Sequence, residues 1–137
     1  MKKMRRWKVG ALLLVLALSA GCVEMALLGI GGAAAIGAYK WIEGTMERDY
    51  PRPMDPCWYA CIAVCKSLNM RLTTEAFGPT DSRIEAMQAD GTAVKIQLVA
   101  RPNQITTIKV RFGMWGDKDQ SAYFHRRVID RLGLPPG

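Results

Sequence analysis

Three cysteines on one predicted helix are the side chains with the clearest capacity for chemistry. Cys57, Cys61 and Cys65 recur every four residues, a spacing that stacks them along one side of a helix. Thiols in such a row could bind a metal or a cluster, or serve redox chemistry. The spacing matches no zinc or haem signature, however, and the single histidine, His125, is distant in sequence. Because free cysteine commonly packs as a small apolar residue, core packing is the preferred interpretation. A disulfide or intermolecular link, or a metal or redox site, is the alternative.

The fourth cysteine ends a segment with the layout of a secretory signal peptide. Basic residues at 2–8 precede an apolar run from Gly10 to Leu18, and small residues follow at 19–21. Residues Leu18 to Cys22 read Leu-Ser-Ala-Gly-Cys and resemble the bacterial lipobox, the recognition site of lipoprotein signal peptidase. The resemblance implies that the Cys22 thiol receives a diacylglyceryl group and that the chain is cut before this residue. An ordinary signal peptide or an uncleaved N-terminal anchor is the alternative.

Lipidation would hold the chain at a membrane without a spanning helix. Each buried methylene contributes about 0.8 kcal/mol, so two or three acyl chains at Cys22 anchor stably. Val23 follows, where the enterobacterial sorting rule has Asp for retention, so the outer membrane is favoured over the inner one. The apolar stretch Met25 to Ala38 is either a flexible tether or a short membrane-associated helix, which at ~21 Å falls short of a full span.

The net charge does not point to a nucleic-acid partner. The whole chain carries +7, but five of its 19 basic side chains precede Cys22, which leaves 14 basic against 12 acidic ones. The mature part is therefore almost balanced, and no nucleic acid is expected. The expected partner is the membrane through Cys22, with another envelope protein or peptidoglycan as a further possibility.

A regular domain is predicted over residues 39–137, after a signal peptide at 1–21 and a tether at 22–38. Apolar and polar residues alternate in the predicted strands, and apolar residues recur at helical spacing in the predicted helices. This pattern predicts an α+β fold with an antiparallel sheet and two helices on one face. The predicted strands are 41–50 (at an edge), 71–77, 83–88, 92–100 and 105–112, and the predicted helices are 55–69, capped by Asp55, and 121–132, capped by Asp117 with Gln120 completing a capping box.

Three weaker features of the sequence are interpreted mainly as structural rather than functional. His125 stands beside two arginines and is predicted to be a partly exposed helix residue, because a catalytic histidine needs a nucleophile or carboxylate beside it. An outward row of Lys95, Lys109 and Arg111 is predicted to be a solvated sheet face, with anionic headgroups or peptidoglycan as alternative ligands. The Met114–Trp115 pair either presents Trp115 to a partner or membrane, or closes the end of the core.

Several short pieces of the chain together carry a family resemblance. They are the lipobox, the Gly/Ala stretch, Tyr50-Pro51, Ile84-Glu85-Ala86 with Asp90-Gly91, and Ile108 to Gly113 leading to Gly116-Asp117 and Ser121. With these pieces the chain resembles a family of small proteobacterial lipoproteins of unknown function. The resemblance covers nearly all of the mature part, and it implies a periplasm-facing lipoprotein of this architecture with no assigned activity. The three helix cysteines depart from the family pattern.

The sequence therefore predicts a lipid-anchored cell-envelope protein, facing the periplasm, with a structural or interaction role. No catalytic residue, cofactor or metal ligand is assigned, and the protein is not expected to be an enzyme. Two alternatives remain open. One is a thiol redox or metal-binding lipoprotein that uses Cys57, Cys61 and Cys65, and the other is a binder of a small ligand between sheet and helices.

Overall fold

Strands with alternating burial form one antiparallel sheet of six strands in the computed structural model, which describes residues 37–136. Cys22 and all but the last two residues of the Met25–Ala38 stretch lie outside the described residues. Within the described range, no helix has both the length and the apolar character needed to cross a bilayer. The elements are β1 (Lys40–Ile42), β2 (Thr45–Tyr50), α1 (Met54–Ser67), β3 (Arg71–Ala76), β4 (Asp81–Met87), β5 (Ala93–Arg101), β6 (Ile105–Phe112) and α2 (Lys118–Arg131).

The strand order across the sheet is β1-β2-β6-β5-β4-β3. Strands β3 to β6 form a meander. Strand β2 pairs with β6, with Tyr50 opposite Thr106, although 54 residues of chain lie between Tyr50 and Ile105. Strand β2 is therefore an interior strand, with β1 paired at one edge and β6 at the other. The predicted α+β class with an antiparallel sheet and two helices is confirmed.

The prediction of one edge strand over 41–50 is wrong, because the chain folds back on itself within that range. Glu43 and Gly44 adopt φ angles of 47° and 83°, and Ile42 then pairs with Thr45. Two consecutive positive φ angles are the mark of a type I′ turn, which joins two strands without disturbing their twist. The domain therefore starts with a hairpin, and only the short strand β1 lies at the edge.

Helix α1 begins one residue earlier than its predicted cap. Pro53 is the N-cap and makes no side-chain capping bond, so the prediction that Asp55 caps this helix is wrong. Asp55 lies in the first turn instead, where its charge favours the positive end of the helix dipole. Pro56 is tolerated here because the first amides of a helix have no partner within it. Asn69, with φ of 56°, ends the helix in a left-handed turn.

Helix α2 has the ends that its sequence predicts. The Asp117 carboxylate accepts a bond of 2.9 Å from the Gln120 amide, and Gly133 follows the helix with φ of 67°. The Gln120 side chain donates to Asp117 Oδ2 and accepts from the Gln88 side chain, which ties the start of the helix to the end of β4. Both helices pack on one face of the sheet, against inward side chains of β2, β4, β5 and β6.

Candidate functional site

A cluster of polar side chains is enclosed between β2 and α2. The alternation of β2 directs Met46, Arg48 and Tyr50 toward the helices, and all three side chains are buried. Helix α2 places His125, which is also fully buried, above the same strand. We call Arg48, Tyr50 and His125, with the Met46 carbonyl, the buried polar cluster, and Tyr39, which is 39% exposed, borders it.

Hydrogen bonds occupy both nitrogens of the His125 ring. Nε2 lies 3.1 Å from the Met46 carbonyl oxygen, and Nδ1 lies 2.7 Å from the Tyr50 hydroxyl. A carbonyl oxygen can only accept, so the neutral ring carries its proton on Nε2 and donates it to Met46. Nδ1 then accepts from the hydroxyl of Tyr50. The ring therefore crosslinks helix α2 to two positions of strand β2.

The prediction that His125 is partly exposed is wrong. Arg126 and Arg127 are exposed as their charge suggests, but His125 itself lies inside the core. The helical spacing carried a signal for this, since Ser121, His125 and Val128 follow one another at intervals of four and three residues and are all buried. Tyr50 and Arg48, the partners that make its burial possible, were not identified from the sequence.

Arg48 is the one charged side chain of the cluster, and no carboxylate among residues 37–136 forms an ion pair with it. Its side chain is 6% exposed, and its guanidinium lies 4.8 Å from the Tyr39 ring centre and 5.6 Å from the Tyr50 ring centre. Aromatic faces stabilise such a cation. Within the described chain, Arg48 Nε and Nη1 have no hydrogen-bond partner. Gly37 covers the guanidinium, and a Cβ at this position would come within 3.1 Å of Nη2.

Burial keeps the cluster neutral apart from Arg48. It lowers the pKa of His125 to about 4, and the nearby Arg48 guanidinium adds a smaller lowering, while the bond to Met46 opposes it. Burial likewise raises the pKa of Tyr50 far above its ordinary value. At neutral pH the imidazole and the phenol therefore both stay uncharged. The arrangement joins elements of the fold but leaves no free acid or base.

The three thiols of α1 are buried against the sheet. Cys57, Cys61 and Cys65 are free cysteines with fully buried side chains. Burial raises the pKa of Cys57 to about 11 and that of Cys65 to about 12, and it raises the pKa of Cys61 as well. Since the thiolate is the reactive form, all three are poor nucleophiles as they stand. Among the residues described, no group of three or more metal-ligating side chains has the geometry to hold an ion.

Charged side chains cover the opposite face of the sheet. Lys95, Lys109 and Arg111 lie there as predicted, around a hollow of about 520 Å³. Lys109 pairs with Glu47 at 3.4 Å, and Arg111 donates to the backbone carbonyl of Met114. Met114 and Trp115 are both exposed. The alternative that Trp115 closes the end of the core is therefore wrong, and its contact with a partner or membrane stays a prediction.

Comparison with known proteins identifies one family. A family model described as a protein of unknown function, DUF3568, matches residues 9–131. The chain belongs to the DUF3568 family. The match includes the polar cluster, the thiol helix and the charged sheet face. No curated protein matches the chain. Membership in DUF3568 confirms that the chain belongs to an uncharacterised family, and it assigns no activity to any of the three regions.

Proposed function

We propose that the protein is a lipid-anchored component of a bacterial cell envelope, and that its domain is a structural or interaction module rather than an enzyme. The observation that carries the non-catalytic part is the burial of the histidine and of the three helix thiols, the side chains best suited to catalysis. His125 and the thiols of Cys57, Cys61 and Cys65 are all fully buried. The anchoring part rests on the Leu18–Cys22 motif and the signal-like segment before it.

Catalysis would require a reactive group that a substrate can reach. Both ring nitrogens of His125 are engaged within the fold, and its pKa of about 4 makes it a weak base. The thiols are held in their protonated form by burial. The accessible features are instead a charged sheet face and the exposed Met114–Trp115 turn. Such surfaces suit contact with a membrane or another macromolecule.

The length of chain between anchor and domain supports a role near the membrane surface. Fourteen residues lie between Cys22 and Gly37, the first residue described. Fully extended, this segment spans at most about 50 Å. A lipid on Cys22 would therefore confine the domain to a thin layer on the periplasmic side, where its neighbours are lipid headgroups, other envelope proteins and peptidoglycan. Val23 favours the outer membrane.

The test is the intact mass of the protein extracted from bacterial membranes. We expect a chain that lacks residues 1–21 and carries a diacylglyceryl group and an acyl chain. Cys22→Ala should abolish both the cleavage and the added mass. Cys57→Ala is the matched control, because it also removes one thiol but leaves the Leu18–Cys22 motif intact, and it should keep the lipid.

Two results would overturn the proposal. An uncleaved chain without lipid would mean that the N-terminal segment is not processed as a lipoprotein signal. A cleaved chain without lipid would mean secretion by an ordinary signal peptide, with no covalent anchor.

A further inference from the structure

Four exposed apolar side chains lie on the first strand of the sheet and in the turn after β6. Trp41 and Ile42 lie on β1, and Met114 and Trp115 lie in the turn after β6. All four are exposed, Met114 to 75% and Trp115 to 85%. Trp41 pairs with the buried Met46 and Ile42 pairs with Thr45, so the two side chains flank the edge strand on its two faces. Exposed apolar side chains that adjoin one another mark interaction surfaces on soluble domains. We call these four residues the tryptophan edge.

Close backbone contact fixes the two parts of the tryptophan edge relative to each other. Gly44 and Gly116 have φ angles of 83° and 80°, and a Cβ on Gly116 would lie 2.1 Å from the Gly44 carbonyl oxygen. Neither position has room for a side chain, so the β1–β2 turn and the Met114–Trp115 turn are pressed together. Arg111 further holds the second turn through its bond to the Met114 carbonyl. A surface that is already ordered loses little entropy on contact.

Basic side chains flank the tryptophan edge, with acidic ones between them. Lys95 and Arg111 line a hollow of about 430 Å³ with Met114, and Lys40 precedes Trp41 on the edge strand. The acidic neighbours are Glu43 in the β1–β2 turn, Glu47 opposite Lys40 and Glu85 opposite Lys95. Aromatic and aliphatic side chains flanked by Lys and Arg are the combination that binds an anionic lipid surface, since rings enter the headgroup layer while cations meet phosphates.

The segment before β1 enters the domain beside the tryptophan edge. Gly37 and Tyr39 pack over Arg48 immediately before β1 begins. The segment that leads back to Cys22 therefore joins the domain at the strand that carries Trp41 and Ile42. Strand β3, at the opposite edge of the sheet, is five strands away from this junction. Among the exposed surfaces, the tryptophan edge is the one that directly continues the tether.

We propose that the tryptophan edge lies against the anionic bilayer to which the chain is anchored, with the Trp115 ring in the headgroup layer. This inference rests on the proposed membrane attachment and adds the orientation of the domain. Lipid contact then limits the domain to one pose and leaves the helix face and the β3 edge for partners. The competing occupant of this edge is a second copy of the chain, since an exposed edge strand such as β1 can pair with another strand.

Tryptophan fluorescence in vesicles tests the orientation. The full chain, with Trp7→Phe so that processing does not affect the signal, is reconstituted into phosphatidylethanolamine–phosphatidylglycerol vesicles whose lipids are brominated near the headgroup. With Trp41→Phe added, the remaining signal comes from Trp115 and from a constant background of the buried Trp58. Adding Trp115→Phe gives the baseline, and adding Tyr59→Trp to that baseline gives a matched control on α1, where Tyr59 is 69% exposed. We expect Trp115 to be quenched at least about twofold more than the control tryptophan.

Each outcome decides the inference. Protein that does not float with the vesicles overturns the membrane attachment and the orientation together. Protein that floats while Trp115 is not quenched overturns the orientation alone. Equal quenching of Trp115 and the tryptophan of Tyr59→Trp means that the domain has no preferred face, and this also overturns it. Crosslinking of two copies through β1 with Trp115 unquenched would assign the edge to a dimer instead.

Discussion

The two helices of this domain have the same length and pack on the same sheet, yet they bury different kinds of side chain. Helix α1 buries three thiols among apolar neighbours, and helix α2 buries an imidazole that bonds to β2 at both nitrogens. A thiol packs as a small hydrophobe and needs no partner. A buried imidazole needs specific partners, because an unpaired polar group costs free energy in the core. The core under α1, here the α1 half, is thus stabilised by the packing of apolar volume. The core under α2, the α2 half, is stabilised by directed hydrogen bonds as well.

Alanine substitution at two fully buried positions should separate the halves most clearly. His125→Ala leaves the Tyr50 hydroxyl and the Met46 carbonyl without their partner and opens a cavity, so it should lower the free energy of unfolding by about 3 kcal/mol or more. Cys61→Ala removes one sulfur atom and should cost about 1 kcal/mol. Denaturant unfolding of both variants in the same detergent measures the difference. Equal losses would mean that the directed bonds add nothing to ordinary packing.

Acid should weaken the domain through its α2 half rather than through its α1 half. The pKa of His125 is 6.5 unfolded and about 4 folded, so below pH 6.5 the unfolded chain takes up a proton that the folded chain refuses. Stability contributed by the neutral ring is complete above pH 6.5 and is lost as the pH falls toward 4, by up to about 3 kcal/mol. The groups that face the ring are Arg48, Tyr39 and Tyr50.

The control for this pH dependence is His125→Gln, whose side chain does not titrate. Carboxylates elsewhere contribute equally to both chains, so the difference between the two stability profiles isolates the imidazole. Profiles that remain parallel from pH 6.5 to pH 4 would contradict the burial of a neutral ring.

Sequence patterns predicted the elements that depend on local order. The alternation of strands β4 to β6, the Asp90-Gly91 hairpin, the Asp117 cap and the Gly133 stop are all present. Each of these depends on residues within a few positions of one another. The Glu43-Gly44 turn was missed because Glu rarely takes a positive φ, and without it β1 and β2 read as one strand.

The polar cluster was missed for a different reason. His125 and Tyr50 are separated by 75 residues, and their bond exists only because α2 crosses β2 in the folded domain. No local pattern encodes that contact. Arg48 added to the difficulty, since a charge in the middle of an inward-facing row conceals the alternation of Met46 and Tyr50. Burial of the thiols, by contrast, follows from the apolar stripe of α1.

Thiol reactivity probes the α1 half. Cys57, Cys61 and Cys65 should react with a maleimide at least about a hundredfold more slowly in the folded chain than after unfolding, because they must be exposed and ionised first. The unfolded chain also reports on the anchor, since a lipidated Cys22 has no free thiol. We expect three reactive thiols rather than four. A thiol that reacts fast in the folded protein would support the redox alternative.

The smallest contrast lies at the start of the two helices. Asp117→Ala removes the side-chain bond to the Gln120 amide and should lower the free energy of unfolding by about 1 kcal/mol. Asp55→Ala is the matched control, because this carboxylate lies in the first turn of α1 without capping it, and it should cost only a few tenths of a kcal/mol through the helix dipole. Thermal unfolding of both variants at neutral pH compares them. An equal loss at both positions would mean that Asp55 caps α1 in solution, and α1 would then also begin with a directed bond.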